Sequence, residues 1–224
     1  METPAESVET ICAVSTPPGE GGISIIRISG PNARRILETV FRPRVRPKKP
    51  ANGLLRLGYI YDPASGTDLD EVFAVFMKAP GTYTREDVAE IHSHGGFAAQ
   101  SAIVKVILGQ GARLADPGEF TKRAFLNGRI DLVQAESVLD VIKSETDEEL
   151  KYAVGYLKGR LSKKIYALRD VLKGALAALE ASIDFPEEDI DIDLCGHLAA
   201  LAKARNEIDG LVSSYYEGKG LKSG

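Results

Sequence analysis

PPGEGGISIIRISG, residues 17–30, runs from a glycine-rich turn into a stretch of strand-forming residues that holds a single arginine. The order decides how the stretch folds. Dinucleotide and nucleoside-triphosphate loops set their glycines after a strand, where they open a helix onto phosphate. Here the glycines precede the strand, and the pattern GxxxxGK(S/T) occurs nowhere in the chain. The stretch therefore predicts a strand over Ile23–Ser29 and no nucleotide cradle. Alternation puts Ile23, Ile25, Arg27 and Ser29 on one face and Ser24, Ile26 and Ile28 on the other. Both faces are largely apolar, which predicts a central strand. A guanidinium placed there needs a carboxylate, carbonyls or an anionic ligand, because an unpaired buried charge is prohibitively costly. Glu90 poses the same question inside the short apolar run Val88–His92, and the two charges could simply pair.

Further strands are predicted at Thr10–Ser15, Leu54–Tyr61, Glu71–Met77 and Val88–His92, with helices at Asn32–Phe41 and Phe97–Leu108. This mixture predicts an α+β domain over residues 1–116. Between its elements lies RPRVRPKKP, residues 42–50, whose three prolines predict an extended loop and whose five basic residues are charged enough to touch RNA phosphate.

From Asp116 the pattern turns helical, predicting an all-α, partial-bundle domain over residues 117–224. Asp116–Glu119, Asp131–Gln134 and Thr146–Glu149 each read as a helix start with a polar cap and an acidic or amide side chain three residues on. Asn127-Gly128 reads as a helix stop. Helices are expected near 117–127, 132–145, 147–182 and 197–217. The long one carries a near-heptad seam from Leu150 to Leu179, so further helices must supply its other wall.

The remaining signals mainly exclude functions. A net charge of −4 with 27% charged residues gives no global attraction to nucleic acid or anionic membrane, so an RNA contact needs a local basic patch or a partner's surface. Cys12 and Cys195 match no metal or redox spacing and read as two free, buried thiols in a reducing compartment. No apolar run approaches the roughly 18 residues that span a bilayer. The acidic start, METPAESVET, has no leader pattern, so a cytoplasmic location without membrane attachment is expected. DFPEEDIDID, residues 184–193, resembles the start of a calcium loop, but Leu194 and Ala200 stand where glycine and glutamate are required. His92 and His94 make at most half a zinc site, and no metal or catalytic residue is assigned.

Three blocks together resemble a known family: TPPGEGGISIIRISGP (16–31), TYTREDVAEIHSHGG (82–96) and PGEFTKRAFLNGRIDLVQAESVLDVIKSET (117–146). With a later ASIDFPEED, they are similar to the bacterial tRNA-modification GTPases of the MnmE, or TrmE, family. The resemblance implies a dimerising α+β domain that binds 5-formyl-tetrahydrofolate or a related derivative, followed by the first part of a helical domain. It places the cofactor-binding residues at Arg27, Glu90 and Arg129. The family usually has lysine at the last position and glycine at Arg85, so this chain departs from it twice. GTP, potassium and magnesium are implied only for a G domain these residues do not contain, which leaves enzymatic activity of this chain by itself open. The implied partners are a second copy in a homodimer, the flavoprotein MnmG (GidA) and tRNA, whose wobble uridine receives an aminomethyl-type group at C5. The competing readings are a dimerisation module whose strand charges only neutralise one another, and an RNA-binding module built on Arg42–Lys49.

Overall fold

The computed structural model describes residues 9–45, 52–184 and 193–222. The chain divides into two compact units, residues 1–135 and 136–224. The first contains β1 (Ile11–Val14), β2 (Ser24–Ser29), α1 (Ala33–Val40), β3 (Phe41–Pro43), β4 (Arg56–Tyr61), β5 (Asp68–Met77), β6 (Val88–Ser93), α2 (Phe97–Gly109), β7 (Arg113–Leu114) and α3 (Glu119–Leu126). The strands form one sheet in the order β3-β4-β5-β6-β2-β1-β7, antiparallel throughout except for the parallel β1–β7 pair. An α+β domain followed by helices is the architecture the sequence pattern predicts.

Strand β2 is interior to the sheet, but its two faces differ. Ile26 and Ile28 are fully buried with Ala74, Ala89 and Ile91 beneath α1 and α2, which contribute Ile36, Leu37, Val40, Ile103 and Ile107. Burying such a side chain stabilises by roughly 1.5–3 kcal/mol, so this layer holds the unit together. On the opposite face Ile25 and Arg27 are only half-buried. The expectation of a strand apolar on both sides is met on one side; the other carries the polar groups described below.

Strand β3 and the two-residue β7 were not predicted. Both are edge strands too short for alternation to register. The glycine-rich turn is fixed by close backbone approach: the Gly95 N–H donates to the Gly21 carbonyl at 3.1 Å. A Cβ on Gly95 would lie 2.3 Å from that oxygen. Gly95→Ala is therefore expected to cost about 1–3 kcal/mol by overpacking against backbone, read as a lower urea midpoint. A midpoint equal to wild type would show that the turn moves away freely.

α4 (Leu132–Lys143) follows, and the second unit contains α5 (Asp147–Leu157), α6 (Arg160–Asp184) and α7 (Leu194–Lys222). The single helix expected over 147–182 is two helices. Gly159 takes a left-handed φ of +79° and its N–H bonds the Tyr156 carbonyl, which ends α5 before α6 starts. α7 begins three residues earlier than expected because the Asp193 carboxylate caps the Gly196 N–H at 2.8 Å. Leu168, Ala175 and Ala204 are buried, whereas Leu172, Leu179, Leu198 and Val212 stay about half exposed, so the seam is covered only in part.

Of the predicted helix starts, Asp131–Gln134 is a complete reciprocal box, with bonds of 2.9 and 3.0 Å. At Thr146 the hydroxyl accepts the Glu149 N–H, while the Glu149 carboxylate reaches back to the Glu145 N–H. At Asp116 only half the box forms: Glu119 accepts the Asp116 N–H, and Gly118 in a left-handed conformation is the cap. Cys12 is buried and its thiol is pushed up to about 11 by desolvation; Cys195 is exposed, contrary to expectation, because it lies in the first turn of α7.

Candidate functional site

Register brings Arg27 and Glu90 together. Strands β2 and β6 pair antiparallel with Arg27 directly opposite Glu90, so both side chains rise from the same sheet face. Nε of Arg27 donates to Glu90 Oε1 at 2.8 Å, and Nη2 forms an ion pair with the same oxygen at 2.7 Å. The other carboxylate oxygen meets His92 Nε2 only at 3.4 Å and keeps acceptor capacity. The side chains are 25% and 17% exposed, which leaves the pair open to a ligand on one side.

Two aromatic rings wall this pair. The Arg27 guanidinium lies 5.5 Å from the ring centre of Tyr83, in the loop between β5 and β6, and 5.6 Å from that of Phe120 on α3. Tyr83 also receives Arg129, whose guanidinium carbon is 4.4 Å from the ring centre. Arg129 arrives there because Gly128 (φ +67°) turns the chain out of α3, and the Arg129 N–H closes the cap on the Ala124 carbonyl. Of the three residues assigned from sequence, far apart along the chain, Arg27 and Arg129 thus stand over one tyrosine, and Glu90 joins them through its pair with Arg27. Glu90 neutralises Arg27, whereas among the described residues Arg129 has no carboxylate partner. Tyr83 and Phe120 escaped the sequence reading because an aromatic in a loop or on a short amphipathic helix carries no periodic signal of its own.

The loop holding Tyr83 is stitched to α3. The Tyr83 hydroxyl pairs with Thr121 Oγ1 at 2.9 Å, and Asn127 Nδ2 donates to the Thr84 carbonyl at 2.7 Å. Arg85 adopts φ +59° and donates to the Asn127 carbonyl at 3.1 Å. A left-handed backbone at this position suits glycine, which gives the resembling family's residue a physical reason. Arg85 is thus committed to the end of α3.

Beneath the loop runs an ion-pair chain. Arg123 joins Glu86 (3.1 Å) to Glu119 (3.0 Å), Arg113 grips Glu119 with two bonds of 2.7 and 2.8 Å, and Glu9 caps Arg113. Ser29 at the end of β2 donates to Glu86 at 2.7 Å, tying the chain to the strand that carries Arg27. Chiefly the Arg113 bonds, then the Asp116 N–H and Arg123, hold the Glu119 carboxyl down at about 2, against the opposing effect of burial. A carboxyl depressed in the folded state stabilises above its unfolded pKa, near 4.5, and loses that contribution as pH falls towards 2. Urea melts across that window are expected to lose about 2 kcal/mol more in wild type than in Glu119→Gln. The full shift would give more, but Arg113 is partly exposed and solvent screens it. Parallel pH profiles for the two proteins would remove Glu119 as the titrating group.

The other candidate motifs resolve differently. The His94 side chain and backbone N–H both engage Asp70, at 2.7 and 2.8 Å, while His92 faces Glu90. Among the described residues no group of three His, Cys, Asp or Glu side chains is placed to hold a metal ion. In the basic loop Arg42 pairs with Asp68 and Arg44 with Glu71, and residues 46–50 lie outside the described residues, as does most of the acidic stretch 184–193. Among the described residues no helix is long and apolar enough to cross a membrane.

Comparison with known proteins agrees with this layout. Residues 10–129 match the family described as GTP-binding protein TrmE N-terminus, and residues 132–224 match the MnmE helical domain. A tRNA modification GTPase MnmE from Moorella thermoacetica is 50% identical over 218 residues, 96% of this chain and 47% of the relative. Proteins of the same name from Natranaerobius thermophilus and Pediococcus pentosaceus are each 46% identical, over 96% and 100% of the chain and 47% and 48% of their own lengths. The chain spans about half the length of the curated relatives it matches. With both of its units accounted for in order, the chain belongs to the MnmE (TrmE) family of tRNA modification GTPases.

Proposed function

We propose that the first unit binds a reduced folate, 5-formyl-tetrahydrofolate or a close derivative, through Glu90, Arg27 and Arg129. The bound folate is the one-carbon source for modifying C5 of the wobble uridine of tRNA. In this reading the protein acts in the cytoplasm as a homodimer with the flavoprotein MnmG, and GTP, potassium and magnesium serve a G domain outside these residues. Residues 1–116 then form the folate and dimerisation domain, and 117–224 the helical one, whose first residues bring Arg129 to the folate site. These residues supply binding and orientation; none is assigned a catalytic step.

The observation that carries the proposal is that two guanidiniums stand over the Tyr83 ring, Arg27 paired with the Glu90 carboxylate and Arg129 unneutralised among the described residues. The donor set fits a folate. The pterin ring presents adjacent N–H donors that one carboxylate accepts, and its glutamate tail presents carboxylates that guanidiniums clamp. Reduced folate supplies a one-carbon unit; Glu90 would orient its ring and the arginines its anionic end, while Tyr83 and Phe120 exclude water from the flank. The Arg27–Glu90 ion pair equally suits the module whose charges merely neutralise one another. Isothermal titration of the chain with 5-formyl-tetrahydrofolate separates the two: saturable binding supports the folate site, and its absence supports the module.

A further inference from the structure

The segment Lys151–Lys173, the end of α5 and the first half of α6, departs sharply from the rest of the chain in charge. It holds seven Lys or Arg and one acidic residue, Asp170, in a protein of net charge −4. Lys151, Lys158, Arg160, Lys163, Lys164, Arg169 and Lys173 are all exposed. Arg169 pairs with Asp170; among the described residues the other six have no carboxylate within ion-pair distance. This contrasts with Arg42 and Arg44 of the proline-rich loop, which are both paired. Three tyrosines are interleaved with these cations and exposed: Tyr152 (60%), Tyr156 (37%) and Tyr166 (43%).

The placement does not serve the helices. The first turn of α5 carries Asp147, Glu148 and Glu149, as the positive end of a helix dipole favours. The start of α6 has no acidic residue and instead carries Arg160, Lys163 and Lys164, against its own dipole. The left-handed Gly159 turn after Lys158 gathers these charges at one corner of the second unit. Like charges on adjacent turns repel, and an external polyanion relieves that repulsion.

We propose that the α5–α6 corner is a contact surface for the phosphodiester backbone of RNA, with Tyr152 and Tyr156 offering faces to unpaired bases, while Tyr166 already carries the Arg169 guanidinium over its ring. The choice of tRNA as the RNA rests on the proposed role in tRNA modification.

The test is fluorescence anisotropy of labelled, unmodified tRNA with the 224-residue chain between about 50 and 200 mM salt. The variant is Lys158→Gln/Arg160→Gln/Lys163→Gln/Lys164→Gln. Affinity is expected to fall at least about tenfold at the lowest salt, and the slope of log K against log salt to shrink by about 3. If that variant loses its helical circular dichroism, Lys163→Gln/Lys164→Gln replaces it, with an expected slope change of about 1.5. Wild-type chain that does not bind tRNA, binds phosphatidylserine vesicles equally well, or shares its affinity and slope with the folded variant overturns the inference. Titration of the same variant with 5-formyl-tetrahydrofolate is expected to match wild type. A chain that binds no folate yet loses tRNA affinity as stated would sink the folate reading and leave this surface standing.

Discussion

Glu90→Ala is expected to lower the affinity for 5-formyl-tetrahydrofolate by about a hundredfold or more. The carboxylate is proposed to accept two N–H groups of the pterin edge, and a hydrogen bond to a charged group contributes about 1.5–3 kcal/mol. Losing both bonds would cost at least about 3 kcal/mol, and every 1.4 kcal/mol is a factor of about ten. The substitution also leaves Arg27 without its 2.7 Å partner, so the guanidinium is free to swing out of register with the ligand. Glu90→Gln refines the test, since an amide accepts one of the two bonds and offers its own donors to the other; an intermediate loss is expected. Isothermal titration reads all three proteins. Affinity undiminished in Glu90→Ala, with the protein folded, would take Glu90 out of the site.

Arg123→Met is expected to destabilise the first unit by about 3 kcal/mol. Its guanidinium is 10% exposed and is shared between Glu86 and Glu119, themselves 14% and 9% exposed. Removing one partner from a buried ion pair typically costs about 3–5 kcal/mol, because the remaining charge is left desolvated. Glu119 keeps its two bonds from Arg113, so the lower end of that range applies; among the described residues the Glu86 carboxylate keeps the Ser29 hydroxyl. For a unit of this size the loss corresponds to about 10 °C in Tm. Because Glu86 ties that loop to β2 next to Arg27, folate affinity is expected to fall as well. The double variant Arg123→Met/Glu86→Gln should recover part of the stability by removing the stranded charge. A single variant as stable as wild type would mean that water already satisfies these carboxylates.

The strands and helices that build the α+β unit were legible wherever alternation or a cap repeated often enough. A slip of one residue in the pairing of β2 is disfavoured, because Ile26 and Ile28 on one face and Ile91 on the facing strand leave one arrangement that buries them all. The leucine seam runs on through Lys158-Gly159, so periodicity reads one helix where the left-handed glycine makes two. Arg27 and Glu90 were conspicuous as charges in apolar runs, whereas Arg129 came from the family resemblance alone.

The amino-acid sequence by itself determined the two kinds of unit, their order and the residues whose charge had no local use, because periodicity and burial cost act along the chain. Only the tertiary structure decided that Arg27 faces Glu90, that Tyr83 lies between Arg27 and Arg129, and that Arg123 links Glu86 to Glu119. Those meetings depend on strand register and on loops folding back over α3, and contacts between residues far apart in sequence leave no pattern in the local order of side chains.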